Sequence, residues 1–236
     1  MSLKTSNLPF KARVDHEVHN TIMRKAVVKA QETIGANRQK MVDELGHWEE
    51  WRDLSKQIRN HVLANLDAYL YQLSEKVIEN GGKVYFAETA EEASAYIRKV
   101  ALEKNAKNIV KSKSMVTEEI GLNEVLEKEG MQVIETDLGE YLLQISGDKP
   151  SHIVVPAIHK DRHQIRKDLS EKLGYEGEET PEDMTRFVRE KIRQDFLEAD
   201  IGISGCNFAV AETGSVCLVT NEGNLRLATT LPKTHI

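Results

Sequence analysis

GKVYFAETAEEASAYIRKVALEKNAKNIVKSKSMVTEEIGLNEVLEKEGMQVIET, residues 82–136, decides the architecture. Short β-prone runs alternate in it with longer stretches of helical period. The spacing predicts strands at Lys83–Ala87, Asn108–Lys111 and Met131–Thr136. Between them it predicts a helix to about Asn105 and a second over Val116–Lys128. Thr89-Ala-Glu-Glu92 is a capping box, in which hydroxyl and carboxylate satisfy free amides at a helix start. Strands separated by helices imply a largely parallel sheet covered on both faces.

Downstream the pattern continues. HIVVPAI, 152–158, reads as a fourth strand, followed by helices over His159–Leu173 and Pro181–Glu198. Thr180-Pro181-Glu182-Asp183 marks the second of these starts, with proline at the first helical position. GCNFAVAETGSVCLVTNEGN, 205–224, reads as a hairpin of Ala209–Ala211 and Val216–Val219 with Gly214 in the turn. A last strand is expected from Arg226 onward. Upstream, the first eighty residues are helical. Apolar positions recur from Val14 to Ile34 and, more strongly, from Leu54 to Val77, where Gly81-Gly82 ends the stripe. The expected fold is α/β: a Rossmann-like, mostly parallel sheet with helices on both faces over 81–236, preceded by a helical segment over 1–80.

The 236 residues are 40% hydrophobic and 30% charged, as in a soluble globular protein. A net charge of -6 argues against a broad nucleic-acid surface. No apolar run approaches a membrane span, and MSLKTSNLPFKARVDHEV lacks a signal-peptide core. Two cysteines make no disulfide framework, so the expected setting is the cytoplasm. The end at LATTLPKTHI, with a β-prone Ile last and no polar tail, suggests one part of a longer protein.

Ligands of open α/β sheets bind at the C-terminal strand ends, which selects three segments. In KSKSM, 111–115, Lys111 and Lys113 bring charge, while Ser112 and Ser114 bring hydroxyls suited to a carboxylate or phosphate. Helix capping by Ser114 with solvated lysines fits equally well. In ETDLGEY, 135–141, Glu135, Asp137 and Glu140 are candidate hydroxyl ligands or bases, although turn chemistry accounts for Asp137 and Gly139. In the hairpin, Gly205 and Asn207 could let a ligand approach backbone donors, with Thr213, Gly214 and Ser215 in the turn and Glu212 as base or nucleophile. Spacing alone favours a plain hairpin there. Cys206 and Cys217 lack metal-site spacing. His159/His163 and His16/His19 lack a third ligand, so no metal site is expected within 1–236. Neither a G-x-G-x-x-G nor a Walker loop is present.

Residues 111–145 and 196–236, with HWEEWRDLS (47–55) and GGKVYFAETAEEASAYIRKV (81–100), resemble the lactate utilization protein B family. Its members are bacterial iron–sulfur subunits of L-lactate oxidation. The resemblance covers nearly the whole chain and implies its N-terminal lactate-utilization (LUD) domain. It implies two [4Fe–4S] clusters in a C-terminal part beyond residue 236, and none in this one. It implies sibling lactate-utilization subunits as partners and lactate or pyruvate as a small carboxylate ligand. The implied fold is that of ribose-5-phosphate isomerase and CoA transferases. Some CoA transferases use a glutamate nucleophile, which keeps open an acyl-CoA or sugar-phosphate enzyme using Glu212. A non-catalytic scaffold is the third possibility.

Overall fold

The computed structural model describes residues 8–152 and 155–236. Four helices come first: α1 (Phe10–His19), α2 (Thr21–Leu45), α3 (Trp48–Ala64) and α4 (Leu66–Glu79). Next are α5 (Ala90–Glu103), β1 (Asn108–Lys111), α6 (Met115–Glu119), α7 (Leu122–Glu127), β2 (Gln132–Glu135) and α8 (Leu138–Ser146). The chain continues through α9 (Arg162–Leu173), α10 (Pro181–Glu198), β3 (Ile201–Ile203), β4 (Phe208–Val210) and β5 (Ser215–Cys217). It ends with α11 (Asn224–Thr230) and β6 (Thr234–His235).

The chain forms two compact units. One contains the described residues of Met1–Val27 with Ala87–Gly205 and Thr220–Ile236; the other contains Val28–Phe86 and Cys206–Val219. The first holds a four-stranded sheet in the order β2-β1-β3-β6, every neighbouring pair parallel. The fold is therefore α/β, as the strand–helix alternation implies.

Strand alternation divides the interior in two. Ile109 points to one face and packs with Ala101 of α5, Leu122 and Leu126 of α7, and the strand residues Val133, Ile201 and Ile203. Val110 points to the other and packs with Leu142 of α8, Leu169 of α9, Val188 and Phe196 of α10, and Ala228 of α11. Helix α10 buries Met184, Val188, Ile192 and Phe196, one residue per turn. Each fully buried Leu or Ile contributes about 2 kcal/mol. Gly202 lets α11 approach the sheet, since a Cβ there would sit 1.7 Å from the Ala228 carbonyl oxygen. At the edge strand β2, the Glu135 amide donates to Gln144 Oε1 (3.1 Å) and Gln144 Nε2 donates to the Val133 carbonyl (2.7 Å). A side chain of α8 thus closes backbone groups that an edge would expose.

Several local expectations hold. The Thr89 hydroxyl accepts the Glu92 amide (3.2 Å), and the Glu92 carboxylate accepts the Glu88 amide (2.9 Å). Thr180 caps α10 with Pro181 inside its first turn. Others are corrected. Among the described residues, 83–87 join no ladder, and Val84, Tyr85 and Phe86 are exposed; an apolar run becomes a strand only where a sheet edge is open to it. The expected fourth strand lies partly at residues 153–154, outside the described residues. From Val155 onward the chain turns, with Ile158 N donating to Val155 O, and Asp161 starts α9 through a capping box. The helix expected over 116–128 is two short helices, split where Gly121 takes φ 64. The stretch from Arg226 is helical: Gly223 starts α11, Pro232 follows it, and only Thr234–His235 pair with β3. The apolar stripe from Leu54 to Val77 is likewise two helices, interrupted at Asn65.

The second unit contains α3, α4 and the antiparallel hairpin β4–β5. Gly214 has φ +68, and a Cβ on it would lie 2.6 Å from the backbone carbon of Lys76. Asn80 Nδ2 donates to the Thr213 carbonyl (2.9 Å) beside this contact. The hairpin turn is thereby fastened to the C-terminal end of α4.

Candidate functional site

The C-terminal strand ends of the first unit carry a buried charged network. Alternation along β1 puts Lys111 on the face of Ile109, and parallel register sets it beside Glu135. Lys111 is fully buried. Its Nζ donates to Thr117 Oγ1 at 2.9 Å, and lies 2.8 Å from Glu135 Oε1 and 3.3 Å from Glu118 Oε1. Asn123 Nδ2 also donates to Glu135 Oε1, at 2.7 Å. Burial alone would lower the Lys111 ammonium; pairing with Glu135 outweighs it and holds the group above its ordinary value.

Glu140, on the first turn of α8, is buried beside Glu135 and hydrogen-bonds it. Desolvation, reinforced by the Glu135 charge and only partly offset by Lys111, pushes its carboxyl up to about 9. Glu140 is therefore protonated at neutral pH. Beyond the bond between the two carboxyl groups, Oε2 of Glu135 and Oε2 of Glu140 have no further partner among the described residues, while Oδ1 of Asn123 and Oγ of Ser112 are buried with none at all. Such atoms are suited to ordered water or a polar ligand.

The other sequence-selected residues divide between the units. In the first, Lys113 is partly exposed and pairs with Asp137 (3.3 Å). Asp137 also caps α8, its Oδ1 accepting the Glu140 amide at 3.2 Å. The Ser114 hydroxyl accepts the Thr117 amide (3.4 Å). A Cβ on Gly205 would lie 3.2 Å from Ser114 Oγ, so the loops after β1 and β3 meet closely there. Lys111, Ser112, Lys113, Ser114, Asp137 and Gly205 thus share one sheet edge. Lys111 is committed to partners within the chain, leaving Lys113 as the lysine of this segment that reaches solvent.

Asn207, Glu212, Thr213, Gly214 and Ser215 belong to the second unit. Asn207 Oδ1 accepts the Val219 amide (2.8 Å), and the Thr213 hydroxyl donates to Ser215 Oγ (3.0 Å). Both contacts stitch the hairpin. Glu212 is exposed in the turn, and among the described residues it forms no ion pair. Cys206 and Cys217 are exposed free thiols. His159 contacts Ser151 Oγ (2.7 Å) and Asp148 Oδ2 (3.2 Å), while His163 contacts Glu179 (3.1 Å). Among the described residues no group of three or more His, Cys, Asp or Glu side chains could hold a metal, and no helix is long and apolar enough to cross a membrane. Thr117, Glu118 and Asn123 were not singled out by sequence reasoning. Their signal lies in the third dimension, because a lysine ending one buried strand beside a glutamate ending the next demands further polar partners.

The LUD domain family model matches residues 70–236. The chain is 73% identical over its full length to the "uncharacterized electron transport protein YkgF" of Escherichia coli strain K12. It is 61% identical over its full length to lactate utilization protein B of Bacillus subtilis strain 168, and 58% to that of Bacillus cytotoxicus. It spans about half the length of each of these relatives. No solved structure matches it significantly. The match over most of the chain and the identities over all of it place the chain in the LUD domain family.

Proposed function

We propose that the chain is the N-terminal half of a component of a bacterial L-lactate utilization system that oxidises L-lactate to pyruvate. The observation that carries this reading is the identity of 57–61% across the whole chain to proteins named lactate utilization protein B. The name of the E. coli relative, an electron transport protein, supports an electron-transfer role for the full-length protein. In this reading it works in the cytoplasm, and two [4Fe–4S] clusters are held by cysteines outside the chain, because two exposed thiols cannot ligate even one four-cysteine cluster.

Within the chain, residues 81–236 bind the small carboxylate. Lys113, Ser112, Ser114 and the backbone near Gly205 would hold lactate or pyruvate, since a cation and hydroxyls suit that group. The buried, partnerless Ser112 hydroxyl favours a polar occupant nearby. Residues 1–80 face the sibling subunits. That assignment is supported by α1–α4, which hold no buried residue and expose Trp51, Leu54, Ile58 and Leu63.

Two experiments test the proposal. Deleting the gene of the full-length protein should abolish growth of its bacterium on L-lactate and spare growth on pyruvate; unimpaired growth on L-lactate overturns the pathway assignment. Titrating the chain with L-lactate or pyruvate should shift amide signals at 111–115 and near Gly205. Absence of shifts at millimolar ligand removes the substrate-binding role and leaves the pathway assignment standing.

A further inference from the structure

The first unit contains a cleft of about 830 Å³ between α10 and the segment from Glu222 to Leu231, with Thr136 and Leu138 completing its lining. Its floor is apolar, formed by Val188, Ile192 and Phe196, with Leu227 opposite. A three-carbon acid would fill a small part of it, whereas drug-sized organic ligands occupy clefts of about 300–1,000 Å³. Arg189 and Arg193 line one wall, both exposed and one helical turn apart. Two like charges at that spacing repel. Among the described residues neither guanidinium has an ion-pair or side-chain hydrogen-bond partner. The carboxylate lining the cleft, Glu222, lies on the wall opposite the arginines and accepts the amide of Leu138, another lining residue, at 3.1 Å. Asn224, at the sheet end, is occupied by Thr136 and Thr220.

We infer that this cleft binds an amphipathic organic anion: a carboxylate or sulfonate head between Arg189 and Arg193, with an apolar body along Ile192, Phe196 and Leu227. Charge complementarity selects the head, since paired guanidinium groups grip oxyanions through several charge-assisted hydrogen bonds. The apolar floor selects the body. The cleft shares no residue with those proposed for lactate, although Thr136 and Leu138 of its lining flank Asp137, and the inference does not depend on that assignment.

The test uses 8-anilinonaphthalene-1-sulfonate as fluorescent probe, with dodecanoate, dodecanol and L-lactate as competitors. One saturable site is expected, displaced by dodecanoate at least tenfold more effectively than by dodecanol and not by millimolar L-lactate. The double variant Arg189→Gln/Arg193→Gln should weaken probe binding tenfold or more, while Arg186→Gln leaves it unchanged. Amide shifts with dodecanoate should map to 185–197 and 222–231. Equal competition by acid and alcohol, or shifts confined to the exposed helices of the second unit, overturns the inference. So does a change in oligomeric state with the arginine variants at constant probe affinity, which marks the cleft as a contact between copies. If the double variant misfolds, the acid–alcohol comparison and the shift map on the unaltered chain decide the matter.

Discussion

Glu140→Gln should stabilise the fold, and increasingly so as pH rises. In the unfolded chain this carboxyl ionises near its ordinary value of 4.5; in the fold it holds its proton to about 9. Between those values the folded state carries one more proton than the unfolded state. Stability therefore falls with rising pH over that window, by about 1.4 kcal/mol per pH unit. At pH 7 the penalty is about 3 kcal/mol, and it saturates near pH 9. Glutamine carries no titrating proton, and its amide can donate to Glu135 as the carboxyl does. The variant should thus exceed the wild type by up to about 3 kcal/mol at pH 7 and by less than about 1 kcal/mol at pH 5. Urea unfolding of both proteins at pH 5, 7 and 8.5 measures the difference. A constant difference across that range would mean that Glu140 titrates alike folded and unfolded, and the reasoning from its burial beside Glu135 would fail.

Lys111→Met should cost about 3–5 kcal/mol, because it strands the Glu135 carboxylate in the interior; adding Glu135→Gln should recover part of the loss in the same urea assay. Gly202→Ala should cost about 3 kcal/mol or more, since the new methyl meets backbone of Ala228 that cannot swing aside; a melting temperature within a degree of wild type would refute the close packing of α11. Asp200 accepts the amides of Lys107 (2.7 Å) and Asn108 (3.0 Å), which hold its carboxyl below the ordinary range. Its stabilisation is present above that range and is lost as pH falls through the lowered value. Asp200→Asn should therefore destabilise at pH 7 and converge with wild type in acid, as thermal melts at pH 7 and pH 3 will show.

What could be read along the chain follows from how local each signal is. Helix α10 was legible because proline, acids and a four-residue apolar repeat lie within eighteen consecutive positions. The hairpin was legible from Gly214 between two apolar runs. KVYFA, 83–87, has the composition of a strand, yet strand formation depends on a partner edge that composition does not reveal. The Leu-Arg-Leu alternation after Asn224 imitates a strand for the same reason, and Gly202 admits a helix there instead. Lys111 illustrates the site: its charge was visible, but its neutralisation requires the register between β1 and β2, set by residues some twenty-four positions apart. Arg189 and Arg193 carry no signal of their own along the chain, because α11, which supplies the opposite wall of the cleft, lies some thirty-five positions downstream.

The division of the interior at β1 has an evolutionary consequence. Ile109 and Val110 are neighbours in sequence but feed separate cores, so the sheet works as a partition through which side-chain packing is not transmitted. Substitutions under α10 and α11 can reshape the cleft without requiring compensation under α5 and α7. Ligand preference on one side is thereby free to drift while the other keeps the fold, and relatives should diverge more readily around the arginine wall than around Leu122, Leu126 and Ile203.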